Sequence, residues 1–310
     1  MTEAIFAERT VPWSGIGKTI ERAKNSKEAM KMAGLDWDVV STPLYLPRGK
    51  GYEKIQYFAN VRADTGDVLG IVTSRYKVLQ NREIFSFTDK LIGEGVQYEA
   101  AGQINGGKRI WLLASMPEDK IVLGEKIKSY IIWVAAHDGD RGVIGAITPI
   151  RVLCYNTINL ALKVAKRSWS AVHMGDMDSK LIVAQKTLGS TYLYLNEMEM
   201  EVEKLAQIKI TKETLGEIVE ELYPVKSKDS DRRVANIEEL REGLLYRYHK
   251  APDLKRFRGT GWGLISAVSD FVTHSEPKRR TATYKEKLFE KVIDGHPIID
   301  KAYHLIKKVA

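Results

Sequence analysis

The amino-acid pattern changes from strand-like to helical near residue 176, and this change constrains the fold more than any other feature of the chain. Between residues 37 and 172, short apolar stretches rich in β-branched and aromatic residues alternate with turn sequences such as Asp64-Thr65-Gly66-Asp67. After residue 176, leucines recur at spacings typical of an amphipathic helix. The sequence therefore predicts an α+β fold, with an antiparallel or mixed sheet core and flanking helices, followed by a mostly helical C-terminal region.

Local signals place several elements and one boundary. Residues 26–33 read as a helix that ends at Gly34, and Asn81 is placed to cap a second helix. Asn105-Gly106-Gly107 predicts the turn of a hairpin. Residues 1–224 are predicted to form the α+β core, including a long helix from about residue 177. Residues 234–310 are predicted to form a helical basic region, joined to the core by the polar stretch 225–233.

Composition excludes several classes of protein. The single cysteine, Cys154, excludes an intrachain disulfide framework and a thiolate zinc cluster, which fits a reducing compartment. It lies in an apolar run, so we expect a structural role for it. No window approaches the ~18 apolar residues of a membrane span, and the first residues lack a secretory signal pattern. We therefore expect a cytoplasmic protein that does not interact with membranes.

Positive charge is concentrated near the C-terminal end. The net charge is +8, and residues 251–310 contain 12 basic against 7 acidic residues. The basic residues cluster in Lys255-Arg256-Phe257-Arg258 and Lys278-Arg279-Arg280. Such clusters are typical of a polyanion site, although a solvated surface is the alternative.

A third basic cluster follows a predicted strand-to-helix transition at residues 149–162. Its cations either contact phosphates, with Trp169 stacking on a base, or complement the dipole at the helix end. The candidate DNA-binding residues of the whole chain are Arg151, Asn156, Asn159, Lys163, Lys166, Arg167, Trp169, Lys255, Arg256, Arg258, Lys278, Arg279 and Arg280.

Signals for catalysis are weaker. His137-Asp138-Gly139-Asp140 follows an apolar strand and offers either a site for Mg²⁺ or Mn²⁺ or an ordinary Asp-Gly turn, which we favour. Ser14-Gly15-Ile16-Gly17-Lys18-Thr19 resembles a phosphate-binding loop, but proline stands where that loop needs its first glycine. We therefore predict a non-enzymatic protein without a cofactor or a bound metal.

Six segments in a fixed order make the chain similar to a known family. They are Trp13-Ser14-Gly15-Ile16-Gly17, Ala33-Gly34-Leu35-Asp36-Trp37-Asp38-Val39, Asn60-Val61-Arg62-Ala63-Asp64-Thr65 with Leu69-Gly70-Ile71-Val72, Tyr76-Lys77-Val78-Leu79-Gln80-Asn81-Arg82-Glu83, His137-Asp138-Gly139 and Arg151-Val152-Leu153-Cys154-Tyr155-Asn156-Thr157-Ile158-Asn159. Over about residues 10–310 the chain resembles the phage/plasmid-like protein family, a domain of unknown function. Ser14 departs from the histidine of many members, which argues against a ligand or base there. The resemblance implies a mobile genetic element in a bacterial cytoplasm and no established reaction.

The predicted function is to bind and anneal single-stranded DNA as a homo-oligomer. Phage single-strand annealing recombinases have a small antiparallel sheet and a basic groove in an oligomeric ring, and the chain is similar to them in outline, by fold analogy alone. One alternative is a phage counter-defence protein that binds a host defence protein or its nucleotide signal. Another is a metal-dependent nuclease that uses Asp138 and Asp140.

Overall fold

The structure is a computed structural model in which strands interspersed with helices precede a mostly helical C-terminal region. It describes residues 11, 13–20, 23–92, 95–117, 119–151, 168–173, 179, 182–183, 191–277 and 279–310. The strands are β1 (Lys18–Thr19), β2 (Val39–Arg48), β3 (Gly51–Arg62), β4 (Val68–Thr73), β5 (Gln97–Ile104), β6 (Arg109–Ser115), β7 (Lys120–Val122), β8 (Glu125–Ala136), β9 (Val143–Arg151) and β10 (Ser168–Ala171). The helices are α1 (Ser26–Ala33), α2 (Asn81–Ile92), α3 (Thr191–Gln207), α4 (Lys212–Leu222), α5 (Asp231–Lys250), α6 (Gly261–His274), α7 (Tyr284–Asp294) and α8 (Pro297–Lys308).

The strands form two sheets. The larger has the order β1-β5-β6-β8-β9-β10, with β7 also paired to β8, and the smaller has the order β2-β3-β4. All pairings in the described residues are antiparallel. The α+β prediction is therefore confirmed, with an antiparallel core and a helical C-terminal region.

Both faces of the larger sheet are covered. On one face, sheet residues such as Ile131 and Trp133 share a hydrophobic core with α1, α2 and the C-terminal helices. On the other face, Trp111 packs against Phe289 of α7, with ring centroids 4.6 Å apart, and Trp13 packs against Tyr130. In the described residues, none of the helices is long and apolar enough to cross a membrane.

The local signals identify their elements correctly, with one difference. Helix α1 ends at Gly34, whose φ of 73° is the left-handed conformation that glycine adopts without strain. The Asn105-Gly106-Gly107 turn joins β5 to β6. Asn81, however, is the first residue of α2, and its side-chain amide donates to the Leu35 and Trp37 carbonyls. At the start of this helix the backbone N–H of Gln80 donates to the Glu83 carboxylate at 2.6 Å.

The predicted domain boundary stays a prediction. Residues 225–229 are mostly exposed between α4 and α5, as expected of a linker, although α5 already begins at Asp231. The hydrophobic core nevertheless contains residues from both sides of this stretch, such as Ile131 of β8 and Leu264 of α6.

A row of residues across three strands explains how two tryptophans meet. Trp133 of β8 and Trp169 of β10 both lie opposite Gly145 of the intervening strand β9. Because Gly145 has no side chain, the two indole rings meet over it, edge to face, with centroids 6.5 Å apart. A Cβ atom on Gly145 would lie 2.5 Å from the Trp133 ring.

We expect Gly145→Ala to destabilise the protein by ~1–3 kcal/mol, because the added methyl group forces the Trp133 ring out of its packed position. Urea unfolding would measure the change in the free energy of unfolding. Gly216→Ala in α4 is the matched control, since open space surrounds Gly216 and alanine favours helix by about 0.5–1 kcal/mol. Equal effects of the two substitutions would contradict this account of the tryptophan contact.

Candidate nucleic-acid interface

Part of the predicted DNA-binding set lies outside the described residues. This holds for Asn156, Asn159, Lys163, Lys166, Arg167 and Lys278, and also for Cys154. Arg151 is the last residue of β9, and only its backbone is described. The involvement of these residues in DNA binding stays a prediction.

Trp169 is described, and it is partly buried. It lies in β10, packs against the main hydrophobic core and contacts Trp133 through Gly145, as described above. These contacts fit a structural role. Stacking of Trp169 on a base stays a prediction.

Among the remaining basic residues, Lys255 and Arg256 border one surface depression and Arg280 borders another. Lys255, Arg256 and Arg258 are exposed, and the Arg256 guanidinium lies over the Phe257 ring with Nη2 3.5 Å from Glu125 Oε1. Arg279 and Arg280 are exposed on the segment between α6 and α7, where Arg280 pairs with Glu276 and borders a cavity.

The His137-Asp138-Gly139-Asp140 loop is the turn between β8 and β9. Gly139 has a φ of 81°, and the Asp140 N–H donates to Asp138 Oδ1 at 2.9 Å. Arg109 faces both carboxylates, since its Nε lies 3.4 Å from Asp138 Oδ2 and its Nη2 lies 3.1 Å from Asp140 Oδ2. Glu290 of α7 pairs with the same guanidinium.

The carboxylates of this loop are therefore paired with an arginine. In the part of the chain that the structure describes, no group of three or more His, Cys, Asp or Glu side chains could hold a metal ion. The metal-dependent nuclease alternative for Asp138 and Asp140 stays a prediction.

Residues from several of the sequence motifs meet in one buried polar cluster. The His137 ring is buried, with Nε2 2.9 Å from Asn81 Oδ1, and its backbone carbonyl accepts from Asn60 Nδ2 at 2.8 Å. Because Asn81 uses its amide hydrogens on two carbonyls, its Oδ1 is an acceptor and His137 Nε2 carries the proton. Tyr76 stacks on His173 close by, with ring centroids 4.9 Å apart.

Burial sets the protonation of this cluster. It lowers the pKa of His137 to about 4, with a smaller contribution from the charge of His173. Burial and the nearby Asp138 carboxylate raise the pKa of Tyr76 above its usual range. The Tyr76 hydroxyl donates to the Ala136 carbonyl at 2.7 Å. At neutral pH His137 and Tyr76 are therefore uncharged. The hydrogen bonds of the cluster join the smaller sheet and α2 to the end of β8.

A further candidate surface is the distal part of the β2–β3 hairpin, residues 42–57, which we call the arm. Residues 45–54 are all exposed, and the strands become buried only near Val39, Ala59 and Asn60. At about 3.3 Å per residue the arm extends roughly 20 Å beyond the smaller sheet. The turn Gly49-Lys50 closes it, with Gly49 at a φ of 58° as short hairpins require.

One face of the arm combines aromatic and basic side chains. Tyr45 lies opposite Lys54, and Tyr52 lies opposite Pro47. Side chains alternate between the faces of a strand, so these residues share one face. The register of β2 and β3 is irregular between Lys54 and Phe58, but Lys54 Nζ is 5.7 Å from the Phe58 ring centroid, which places Phe58 on the same face. Tyr52 is 78% exposed and Tyr45 is 53% exposed, so both rings are accessible to a ligand.

The opposite face and the tip differ in character. Leu46 lies opposite Glu53 on the other face, and Arg48 pairs with Glu53 at 2.9 Å. Tyr57 is on this face as well, because it adjoins Phe58 in β3. Residues 42–57 contain three basic residues and one acidic residue, which makes the arm electropositive.

The family comparison gives one match. A model of a domain of unknown function, DUF932, matches residues 68–292, which is more than two thirds of the chain. The chain belongs to the DUF932 family. No curated protein and no solved structure matches it. The matched DUF932 span includes Tyr76, Asn81 and His137 of the polar cluster, whereas the arm precedes it.

Sequence reasoning missed the arm as a site. Its signal is the combination of Tyr45 in β2 with Tyr52 and Lys54 in β3, and these residues share a face only once residues 42–57 are read as a hairpin. Two prolines in β2 obscured that pattern.

Proposed function

We propose that this DUF932 protein is a non-enzymatic protein that binds single-stranded DNA on its arm and anneals complementary strands. The exposed face that combines Tyr45, Tyr52 and Lys54 supports this proposal more than any other observation. The resemblance in sequence supports a setting on a bacteriophage or plasmid, in the cytoplasm of a bacterial host.

The chemistry of the arm fits a single strand. Unpaired bases expose their aromatic faces, and each base stacked on an aromatic side chain contributes ~1–3 kcal/mol. The tyrosines offer such faces, while Lys54 on the same face and Lys50 in the turn offer positive charge for the phosphates between the bases. In a duplex the base faces are occupied by neighbouring bases, so we expect a preference for single strands.

The outer edge of the arm supports binding through side chains. Pro43 and Pro47 lie in β2, whose far edge pairs with no strand in the described residues. Proline has no N–H group and so interrupts the hydrogen bonds that another β-strand would need along this edge. The arm is therefore better suited to a ligand that contacts its face than to a strand that extends its sheet at β2.

Annealing adds a requirement for more than one binding surface. Two strands have to be held near each other, which two copies of the arm would do, so the proposal includes a homo-oligomer. The exposed basic residues Lys255, Arg256, Arg258 and Arg279 extend the proposed contact with the phosphates.

The test is the affinity for a labelled single-stranded oligonucleotide, measured by fluorescence anisotropy at several salt concentrations. Wild-type protein should bind the single strand more tightly than the matching duplex. In Lys50→Gln and Lys54→Gln, the slope of log K against log salt should become shallower by about 0.7 for each lost phosphate contact. Lys27→Gln on the exposed face of α1 is the control, and its slope should equal that of wild type.

Two results would contradict the proposal. One is failure of the wild-type protein to bind the single strand at low salt. The other is a pair of arm variants whose affinity and salt slope match those of Lys27→Gln. Light scattering with and without the oligonucleotide would show whether the DNA-bound protein is an oligomer, as the annealing step requires.

A further inference from the structure

A cavity of about 770 Å³ lies where the N-terminal loop meets α5, the end of α6 and the start of α7. Its walls include Ser14, Gly15 and Ile16 from the loop that resembles a phosphate-binding motif, and Arg280 from the C-terminal basic cluster. Neither segment belongs to the arm. The fold thus brings together two sequence features that are far apart in the chain, around a space large enough for a small organic ligand.

Three cations border the cavity: Arg247 from α5, and Arg280 and Lys285 from the start of α7 and the segment before it. Arg247 is the most constrained, since its side chain is 11% exposed and its Nε lies 3.2 Å from Oδ2 of the buried Asp270. The ring of Phe271 stacks under its guanidinium, 5.2 Å from centroid to Cζ. Asp270 and Phe271 therefore fix the orientation of a nearly buried positive charge at the wall.

Arg280 and Lys285 are positioned to reach a ligand. Arg280 pairs with Glu276, but both side chains are more than half exposed, and such surface pairs are weak enough to be exchanged for a phosphate. Lys285 Nζ is 3.5 Å from the Ser14 carbonyl. A Cβ on Gly15 would lie 2.7 Å from that Nζ, so glycine at this position, with a φ of 80°, allows the ammonium group to approach the loop.

The start of α7 adds to the positive potential. Tyr284, Lys285 and Glu286 form its first turn and line the cavity. Thr283 at the N-cap position makes no side-chain hydrogen bond to this turn. The first N–H groups of a helix carry a partial positive charge, which favours an anionic group beside them.

We propose that this cavity binds a free mononucleotide. The phosphate would lie against Arg247, Arg280 and Lys285, which border the cavity. The volume of about 770 Å³ leaves room for the nucleoside beside these cations, which a site for inorganic phosphate alone would not need. The proposal is independent of the arm.

Adenosine monophosphate (AMP) is the probe, and calorimetry on the full chain is the measurement. AMP should bind, and adenosine should bind about tenfold or more weakly, because it lacks the phosphate. The double variant Arg280→Gln, Lys285→Gln should also weaken AMP binding by about tenfold or more. Both side chains are largely exposed, so folding should be retained. Arg256→Gln, an exposed cation at the other depression, should bind AMP as wild type does.

Two further measurements distinguish AMP binding in the cavity from binding of a phosphate elsewhere on the protein. Tyr52→Ala should bind AMP normally, which distinguishes the cavity from the arm. An oligonucleotide with a 5′-phosphate should gain no affinity over one with a 5′-hydroxyl. Failure of AMP to bind at millimolar concentrations would overturn the proposal. The proposal would also be overturned if the double variant bound AMP as tightly as wild type does. The same holds if the 5′-phosphate raised the affinity for the oligonucleotide while AMP bound no more tightly than adenosine.

Discussion

Replacing Tyr45 and Tyr52 together with alanine is expected to weaken single-strand binding by about 30-fold to 10⁴-fold. Each stacked base contributes ~1–3 kcal/mol, and two lost stacks add to ~2–6 kcal/mol. The salt slope should stay that of wild type, because stacking releases no counterions. Anisotropy titrations at three or more salt concentrations would measure both quantities.

Two substitutions on the opposite face are matched controls. Tyr57→Ala removes the same side chain from the other face of the same hairpin, and Leu46→Ala removes an exposed apolar side chain there. Both should bind the oligonucleotide within about twofold of wild type, a difference below the ~1 kcal/mol expected of a single stack. If Tyr57→Ala loses as much affinity as the double variant, the aromatic face is not the binding surface.

Acidification from pH 6.5 to 4 is expected to lower the free energy of unfolding by about 3 kcal/mol through His137 alone. In the unfolded chain a histidine takes up a proton near pH 6.5, whereas burial holds the pKa of His137 at about 4. The unfolded state therefore binds more protons between these values. The contribution of neutral His137 to the free energy of unfolding is therefore fully present above pH 6.5, and it is lost as the pH falls towards 4.

The variant His137→Gln separates the effect of His137 from that of the other titratable groups. It should lower the free energy of unfolding at neutral pH, because it loses the contact with Trp37, but that free energy should then change less with pH between 4 and 6.5. Some change of the free energy of unfolding with pH should remain in this variant because of His296. The pKa of His296 is also lowered to about 4, mainly by burial and further by Lys291. His304→Gln is the control, since His304 is exposed on α8. Urea unfolding at several pH values would measure the slopes, and an unchanged slope in His137→Gln would contradict the account.

The fold class and most element positions follow from local patterns in the sequence. Gly34 ends α1 because the left-handed conformation excludes most other residues, and Asn105-Gly106-Gly107 closes a hairpin for the same reason. These signals are local, so they can be read without knowing the rest of the structure. The order of the strands depends on pairing between distant residues, and nothing in a single sequence states it.

The arm shows how a local rule can mislead. Pro43 and Pro47 argue against a strand when β2 is read alone, since proline cannot donate to a sheet. Both are tolerated because β2 is an edge strand, which becomes apparent only from the sheet order. Without β2 there is no hairpin, and without the hairpin Tyr45 and Lys54 have no reason to be neighbours.

The polar cluster and the cavity could be predicted only in part. The motif residues Asn60, Tyr76, Asn81 and His137 are recognisable in the sequence, but their hydrogen bonds join positions up to 77 residues apart. Arg280 was identified from charge alone, which cannot show that Arg247 and Gly15 lie around the same space. Long-range contacts of this kind have no local signature.

Photo-cross-linking to an oligonucleotide that contains 5-iododeoxyuridine tests the central claim most directly, because the excited base reacts with an aromatic side chain stacked on it. Tryptic digestion and mass spectrometry would identify the attached residue. The arm proposal predicts cross-links at Tyr45 or Tyr52, which disappear when that tyrosine is replaced by alanine. Cross-links confined to the peptide that contains Trp169, with none on the arm, would contradict it.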